Sequence, residues 1–149
     1  FSFVGSVNKI KIIDDYAHHP TEIKNTLKAA KLLCKGRLIV IFEPHRYSRI
    51  IDLYDEFINS FSDADILFVT KIYSVGEKKI KEINENIIVN SIKKNGHKNV
   101  KCFMDENSME MELSELSRSD DFLIFLGAGS ISKKARSMEE SMLKLIRKN

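Results

Sequence analysis

The sequence is poor in the features that mark secreted, membrane-spanning and nucleic-acid-binding proteins. It has only two cysteines, Cys34 and Cys102. They lie far apart in apolar segments and lack CxxC spacing, which reads as free thiols in a reducing compartment and argues against a disulfide framework or a zinc site. No apolar run approaches the ~20 residues of a membrane span, and no stretch has the charged, apolar and small-residue order of a signal peptide. Charge of one sign is also scarce: 24 Lys and Arg stand against 21 Asp and Glu, a formal +3. Most of the local basic excess lies in the tail after Lys133. Binding to a phosphate backbone needs a clustered basic face, so nucleic acid is not an expected partner. There is no GxxxxGK(S/T) phosphate loop, no nucleophile elbow and no evident Ser-His-Asp arrangement. Repeats, low-complexity segments and internal linkers are missing too. What remains is one cytoplasmic domain, whose 149 residues suffice to bury about two-thirds of the unfolded surface.

What is present is an alternation of strand and helix signals. The segment 9–13 reads as a strand, and 21–33 as a helix with Ile23, Leu27 and Ala30 at helical spacing. Leu38-Ile39-Val40-Ile41-Phe42 is an unbroken apolar run, the pattern of a parallel strand covered on both faces. A helix over 50–61, a strand over 66–69, a helix over 84–94 with Ile87, Ile88 and Ile92 inward, and a strand over 100–103 follow. An acidic helix over 105–119, a strand over 122–126 and a final helix over 130–147 complete the chain. Strands separated by helical stretches of this length mean βαβ units. The expected fold is α/β: a Rossmann-like three-layer sandwich, a mostly parallel sheet with helices on both faces.

Three polar clusters follow strands: DDYAHHP after the first, EPHRYSR after the second and GAGS after the last. In a parallel sheet all three fall on the carboxyl edge, where open α/β folds bind ligands. In the first, Pro20 and Thr21 are expected to open a helix with Thr21 as its cap. Asp15 is the candidate for the hydroxyls of a ribose, and Asp14 for bracing the loop. His18, His19 and His45 lack zinc spacing, and adjacent histidines diverge along an extended chain, so no metal is assigned. In the second cluster Arg46 and Arg49, at i and i+3, would share one side of a helix's first turn and meet an anion, unless they pair with Asp52, Asp55 or Glu56 on the surface. Gly127 and Gly129 read as a tight strand-to-helix turn allowing close backbone approach. The acidic segment 105–121 and the basic tail are read as solvated faces. Tyr16, Tyr47 and Tyr73 either stack on a base or pack.

Four stretches in this order, DDYAHHPTEIKNTLKAAK, IVIFEPHRYSRIIDLYDEF, SDADILFVTKIYSVGE and FLGAGSI, resemble the carboxyl-terminal domain of the Mur ligase family, in its L-alanine-adding branch. The resemblance implies that residues 1–149 are the last domain of a three-domain enzyme. It also implies that the UDP-sugar domain and the central ATPase domain, with its phosphate loop and magnesium ligands, lie outside this chain. The start at FSFVGSV without an initiator Met agrees with an excised piece, and the fragment alone is expected to be inactive.

The implied reaction phosphorylates the lactyl carboxylate of UDP-N-acetylmuramate with ATP and Mg2+, and the amine of L-alanine then displaces phosphate. The resemblance places Asp15 near the nucleotide, and Tyr16, His18, Arg46 and Arg49 at the alanine or acyl-phosphate site. His19, His45, Asp14, Gly127 and Gly129 would support the loops. Ala17 departs from the glycine common in the family, and the Lys78–Lys81 stretch departs from the family's more acidic loop. Two competing readings remain. The murein-tripeptide recycling ligase shares the first loop but lacks HRYSR, and a non-catalytic nucleotide- or anion-binding module would begin near Phe1.

Overall fold

The computed structural model describes residues 1–147. A six-stranded sheet runs in the order β1-β2-β6-β3-β4-β5. It is built from β1 (Ser2–Val7), β2 (Ile10–Asp15), β3 (Leu38–Phe42), β4 (Ile66–Thr70), β5 (Val100–Phe103) and β6 (Phe122–Leu126). All neighbours pair parallel except β1, which runs antiparallel to β2. The apolar run of β3 is fully buried and pairs with β6 and β4, so β3 and β6 form the centre of the sheet.

Two apolar layers sandwich the sheet. One face carries α1 (Pro20–Leu33), the short helices α2 (Tyr47–Asp52) and α3 (Tyr54–Ile58), and α4 (Glu85–Lys94). Ile23, Leu27, Ala30, Ile50, Phe57, Ile88 and Ile92 pack there against Ile13, Val40, Phe42 and Ile124. The other face carries α5 (Glu106–Leu116) and α6 (Ile131–Arg147). Met109, Leu113, Ala135, Met138 and Met142 pack there on Ile12, Ile39, Ile41 and Phe125. Side chains alternate across each buried strand, so one apolar run feeds both layers. The acidic and basic helices meet on this second face, with Lys134 Nζ 3.0 Å from Glu110 Oε1. The three-layer, mostly parallel Rossmann-like architecture expected from the sequence is the one found.

Four local expectations are corrected. Strand β1 is an addition, closed onto β2 by the two-residue turn Asn8-Lys9 with φ of 49° and 65°. Two positive φ values define a type I′ hairpin turn, but Lys9 stands where glycine usually signals one. The expected helix 50–61 is two short helices that break at Leu53 (φ −118°, ψ 28°). In α4, Asn84 caps the helix by accepting from the Ile87 N–H at 2.9 Å. That sets Ile88, Val89 and Ile92 inward and leaves Ile87 exposed. In α1, His19 and not Thr21 is the N-cap, with Pro20 in the first turn. Glu22 Oε1 reaches back to accept from the His19 N–H at 3.2 Å, the return half of a capping box.

Candidate active-site edge

Strands β2, β3 and β6 run parallel, so DDYAHHP, EPHRYSR and GAGS do emerge together at their carboxyl ends. Strand β4 contributes a fourth loop. Its Tyr73 accepts from the Arg46 N–H at 2.8 Å and donates its own N–H to the Pro44 carbonyl at 2.8 Å, stitching the loop after β4 to the loop after β3.

A chain of rings crosses these loops. Tyr16 meets His18 edge-on with centroids 5.1 Å apart, His18 meets His45 at 5.6 Å, and His45 stacks on Tyr73 at 5.7 Å and 16°. The hydrogen bonds set the tautomers. His18 Nδ1 lies 2.9 Å from the Tyr16 carbonyl, which can only accept, so Nδ1 carries a proton. His45 Nδ1 lies 3.4 Å from Arg49 Nη1, which can only donate, so here Nδ1 is the acceptor. Burial, followed by the charges of Arg49, His18 and Arg46, lowers the His45 pKa below its ordinary value. His45 is thus held neutral beside two guanidiniums.

Arg46 and Arg49 line one groove of about 380 Å³ with His19, Ser48, Asp52 and Leu53. The route differs from the one expected. Arg46 is not in the helix but precedes it as the N-cap of α2, with φ 68° and ψ 128°, a conformation that costs a non-glycine residue free energy. Among the described residues neither arginine forms an ion pair, although Asp52 lines the same groove. Asp52 lines the groove and the Glu77 carboxylate lies within reach of the Arg46 charge, yet neither guanidinium is engaged by a carboxylate, which leaves both able to bind an anionic ligand.

The two aspartates brace different partners. Asp15 is 7% exposed, and its Oδ1 accepts from the Ala17 N–H at 2.8 Å and the Thr26 hydroxyl at 3.3 Å, which fixes the turn carrying Tyr16 and His18. Asp14 Oδ2 accepts from the Ser132 hydroxyl at 2.7 Å and lies 3.9 Å from Arg136 Nε, so it ties the first loop to α6.

The glycines allow a close approach of protein groups. A Cβ on Gly129 would stand 2.6 Å from Glu43 Oε1 and 2.7 Å from the Tyr73 ring, and one on Gly127 3.2 Å from the Glu43 carbonyl. Glu43 is the residue sequence reasoning missed. Buried at the end of β3, it accepts from the Ser130 hydroxyl at 2.6 Å and the Ile131 N–H at 3.3 Å, closing the start of α6. The only signal was a carboxylate directly after an apolar strand, and GAGS gave no hint of its partner.

A larger recess of about 490 Å³ opens beside the starts of β4 and β5, lined by Phe61, Asp65 and His97 among others. Its two titratable groups Asp65 and His97 are engaged within the protein: Asp65 Oδ2 binds Lys31 Nζ and the Leu38 N–H, each at 2.7 Å, and His97 Nε2 binds the Ala64 carbonyl at 2.8 Å. Among the described residues no three His, Cys, Asp or Glu side chains converge to hold a metal ion. No described helix is long and apolar enough to cross a membrane.

A doubly covered, mostly parallel sheet with its loops gathered on one edge is a Rossmann-like α/β domain, and the chain belongs to the Mur ligase family: the family model described as Mur ligase, glutamate ligase domain, matches residues 1–129. Its relatives within the family include proteins named UDP-N-acetylmuramate–L-alanine ligase. It is 40% identical over 142 residues to the UDP-N-acetylmuramate–L-alanine ligase of Paracoccus denitrificans, covering 95% of this chain and 30% of that protein. The crystal structure of the UDP-N-acetylmuramate–alanine ligase of Thermotoga maritima superposes with a TM-score of 0.72 at 29% identity, over 97% of this chain and 30% of that one. The murein peptide ligase of Psychrobacter arcticus shares the fold, with a TM-score of 0.76 at 18% identity over 95% of this chain and 29% of that one. The chain therefore spans about a third of the length of these relatives.

Proposed function

We propose that this chain is the carboxyl-terminal domain of an ATP-dependent ligase that joins L-alanine to UDP-N-acetylmuramate in cytoplasmic peptidoglycan precursor synthesis. Its own amino-terminal and central domains are its structural partners. The observation that carries the reading is the groove shared by Arg46 and Arg49, neither of which forms an ion pair among the described residues, beside the ring chain that includes His18. The likeness to alanine-adding relatives supports it.

In this reading one or both guanidiniums receive the alanine carboxylate or the reacting acyl phosphate through charge-assisted bonds. His18, fixed through its Nδ1–H on the Tyr16 carbonyl, presents Nε2 to the amino acid, and the exposed Tyr16 ring walls that side of the site. Asp15 stands at the nucleotide, and Asp14, His19, His45, Gly127 and Gly129 hold the loops. In this reading ATP's phosphates and Mg2+ are held by the central domain.

The domain's work is positioning, charge stabilisation and exclusion of water from the acyl phosphate. The amine attacks the acyl carbon, the tetrahedral intermediate expels phosphate, and an amide remains. In the full-length enzyme, Arg46→Ala or Arg49→Ala should raise the KM for L-alanine or lower kcat by on the order of tenfold or more, as loss of one charge-assisted bond implies. Melting temperature should be nearly unchanged. Unaltered kinetics in both variants would return the arginines to an ordinary surface role.

A further inference from the structure

We infer that Glu77 is a positioning residue for the arginine groove: reaching across from the loop after β4, it holds Ser48 and so fixes the segment that presents Arg46 and Arg49. The inference rests on the amino-acid-binding role proposed for that groove.

The need for such a clamp begins in the sequence. Helix α2 has no acidic residue in its first turn, and its N-cap, Arg46, makes no side-chain cap bond. The first N–H groups of a helix require partners from outside it. Glu77 supplies one from a different loop: its Oε1 accepts from the Ser48 N–H at 3.3 Å and its Oε2 from the Ser48 hydroxyl at 2.5 Å. The Ser48 hydroxyl bond, with bonds from the Ser48 and Tyr47 backbone and the charge of Arg46, keeps the Glu77 carboxyl ionised below its ordinary range.

The backbone on both sides of this contact is strained. Arg46 has φ 68°. Val75 and Gly76 have φ 54° and 80°, and the Glu77 N–H closes on the Ser74 carbonyl at 3.1 Å. Two consecutive positive φ values under such a bond make a type I′ turn, which a β-branched residue adopts at a cost. Strained residues persist where their surroundings over-determine them. Here the Tyr73 backbone bonds grip one end of the Arg46 segment and Glu77 grips the other.

Glu77 is half-buried on the surface of its loop, where a single contact contributes little to global stability. Its effect belongs in substrate binding. Charge alone gives the opposite sign, because removing an anion beside the groove would strengthen the binding of a carboxylate.

The test is steady-state kinetics of the full-length enzyme carrying Glu77→Ala, Glu77→Gln, Ser48→Ala and the double variant. Glu77→Ala should raise the KM for L-alanine roughly three- to tenfold and leave the KM for ATP and the melting temperature nearly unchanged. Glu77→Gln, which keeps an acceptor oxygen for Ser48, should recover part of the loss. The double variant should be no worse than the worse single one, as residues acting through one contact require. An unchanged or lowered KM for alanine, or an equal rise for every substrate with a falling melting temperature, would overturn the clamp. Arg49→Ala measured alongside separates the two ideas. A rise in alanine KM there, with none in Glu77→Ala, removes the clamp alone, whereas no effect in Arg49→Ala removes the groove's role and the clamp with it.

Discussion

Tyr73 and His45 hold each other twice: their backbones form an isolated parallel bridge, and their rings stack with centroids 5.7 Å apart and planes 16° from parallel. The bridge joins two loops that leave neighbouring strands, and the stack covers an imidazole already pressed by Arg49, His18 and Arg46. The stacked Tyr73 ring adds to the burial that, with these charges, lowers the His45 pKa.

Replacing Tyr73 by Ala should uncover His45 and let its pKa rise toward the ordinary 6.5, because burial is the largest cause of the depression. NMR titration of His45 Cε1–H in the 149-residue chain checks this, and an unchanged titration would show that the arginine charges alone hold the imidazole neutral. The linked stability effect has a definite sign. With a folded pKa below the unfolded one, the neutral state's contribution is complete above about 6.5 and is lost as pH falls through the folded value. Wild-type protein should lose stability over this acid range more steeply than His45→Gln.

Asp121, 1% exposed, is the buried charge on which the opposite edge depends. It accepts from the Arg37 guanidinium and N–H, each at 2.7 Å, and from the Arg118 N–H at 2.8 Å. Burial pushes its carboxyl up, but these bonds outweigh it and hold the pKa below the ordinary 3.8. Arg37→Ala, which removes the guanidinium and leaves the carboxylate with its two backbone N–H bonds, should cost about 1.5–3 kcal/mol, the size of a hydrogen bond to a charged group, read from urea denaturation. Because the folded pKa is depressed, the pair's contribution is complete above about 3.8 and disappears as pH falls through the folded value. Asp121→Asn should therefore flatten the acid limb of the stability curve.

Much of this was legible because burial writes itself into composition. The run Leu38–Phe42 could only be a strand covered on both faces, and three polar clusters after strands had to share an edge once the strands were parallel. The missing parts were those set by contacts distant in sequence. The turn Asn8-Lys9 hides strand β1 because Lys9 occupies a place where glycine would have announced it. Leu53 carries no breaker signal, yet the chain turns there between α2 and α3. Glu43 is invisible until β3 and α6 meet, and Gly129 then makes sense as space for Glu43 and Tyr73. The pairing of Arg46 with Arg49 was readable from spacing, but its geometry was not, since Arg46 lies outside the helix in a positive-φ conformation.

The most direct measurement is amino-acid-dependent phosphate release by the full-length enzyme with UDP-N-acetylmuramate, ATP and magnesium, comparing L-alanine with the L-Ala-γ-D-Glu-meso-diaminopimelate tripeptide. The account expects release with L-alanine and none above background with the tripeptide. Release only with the tripeptide would assign the chain to the recycling ligases, and release with neither would leave a binding module without catalysis; either result would contradict the proposal that Arg46 and Arg49 serve the addition of alanine.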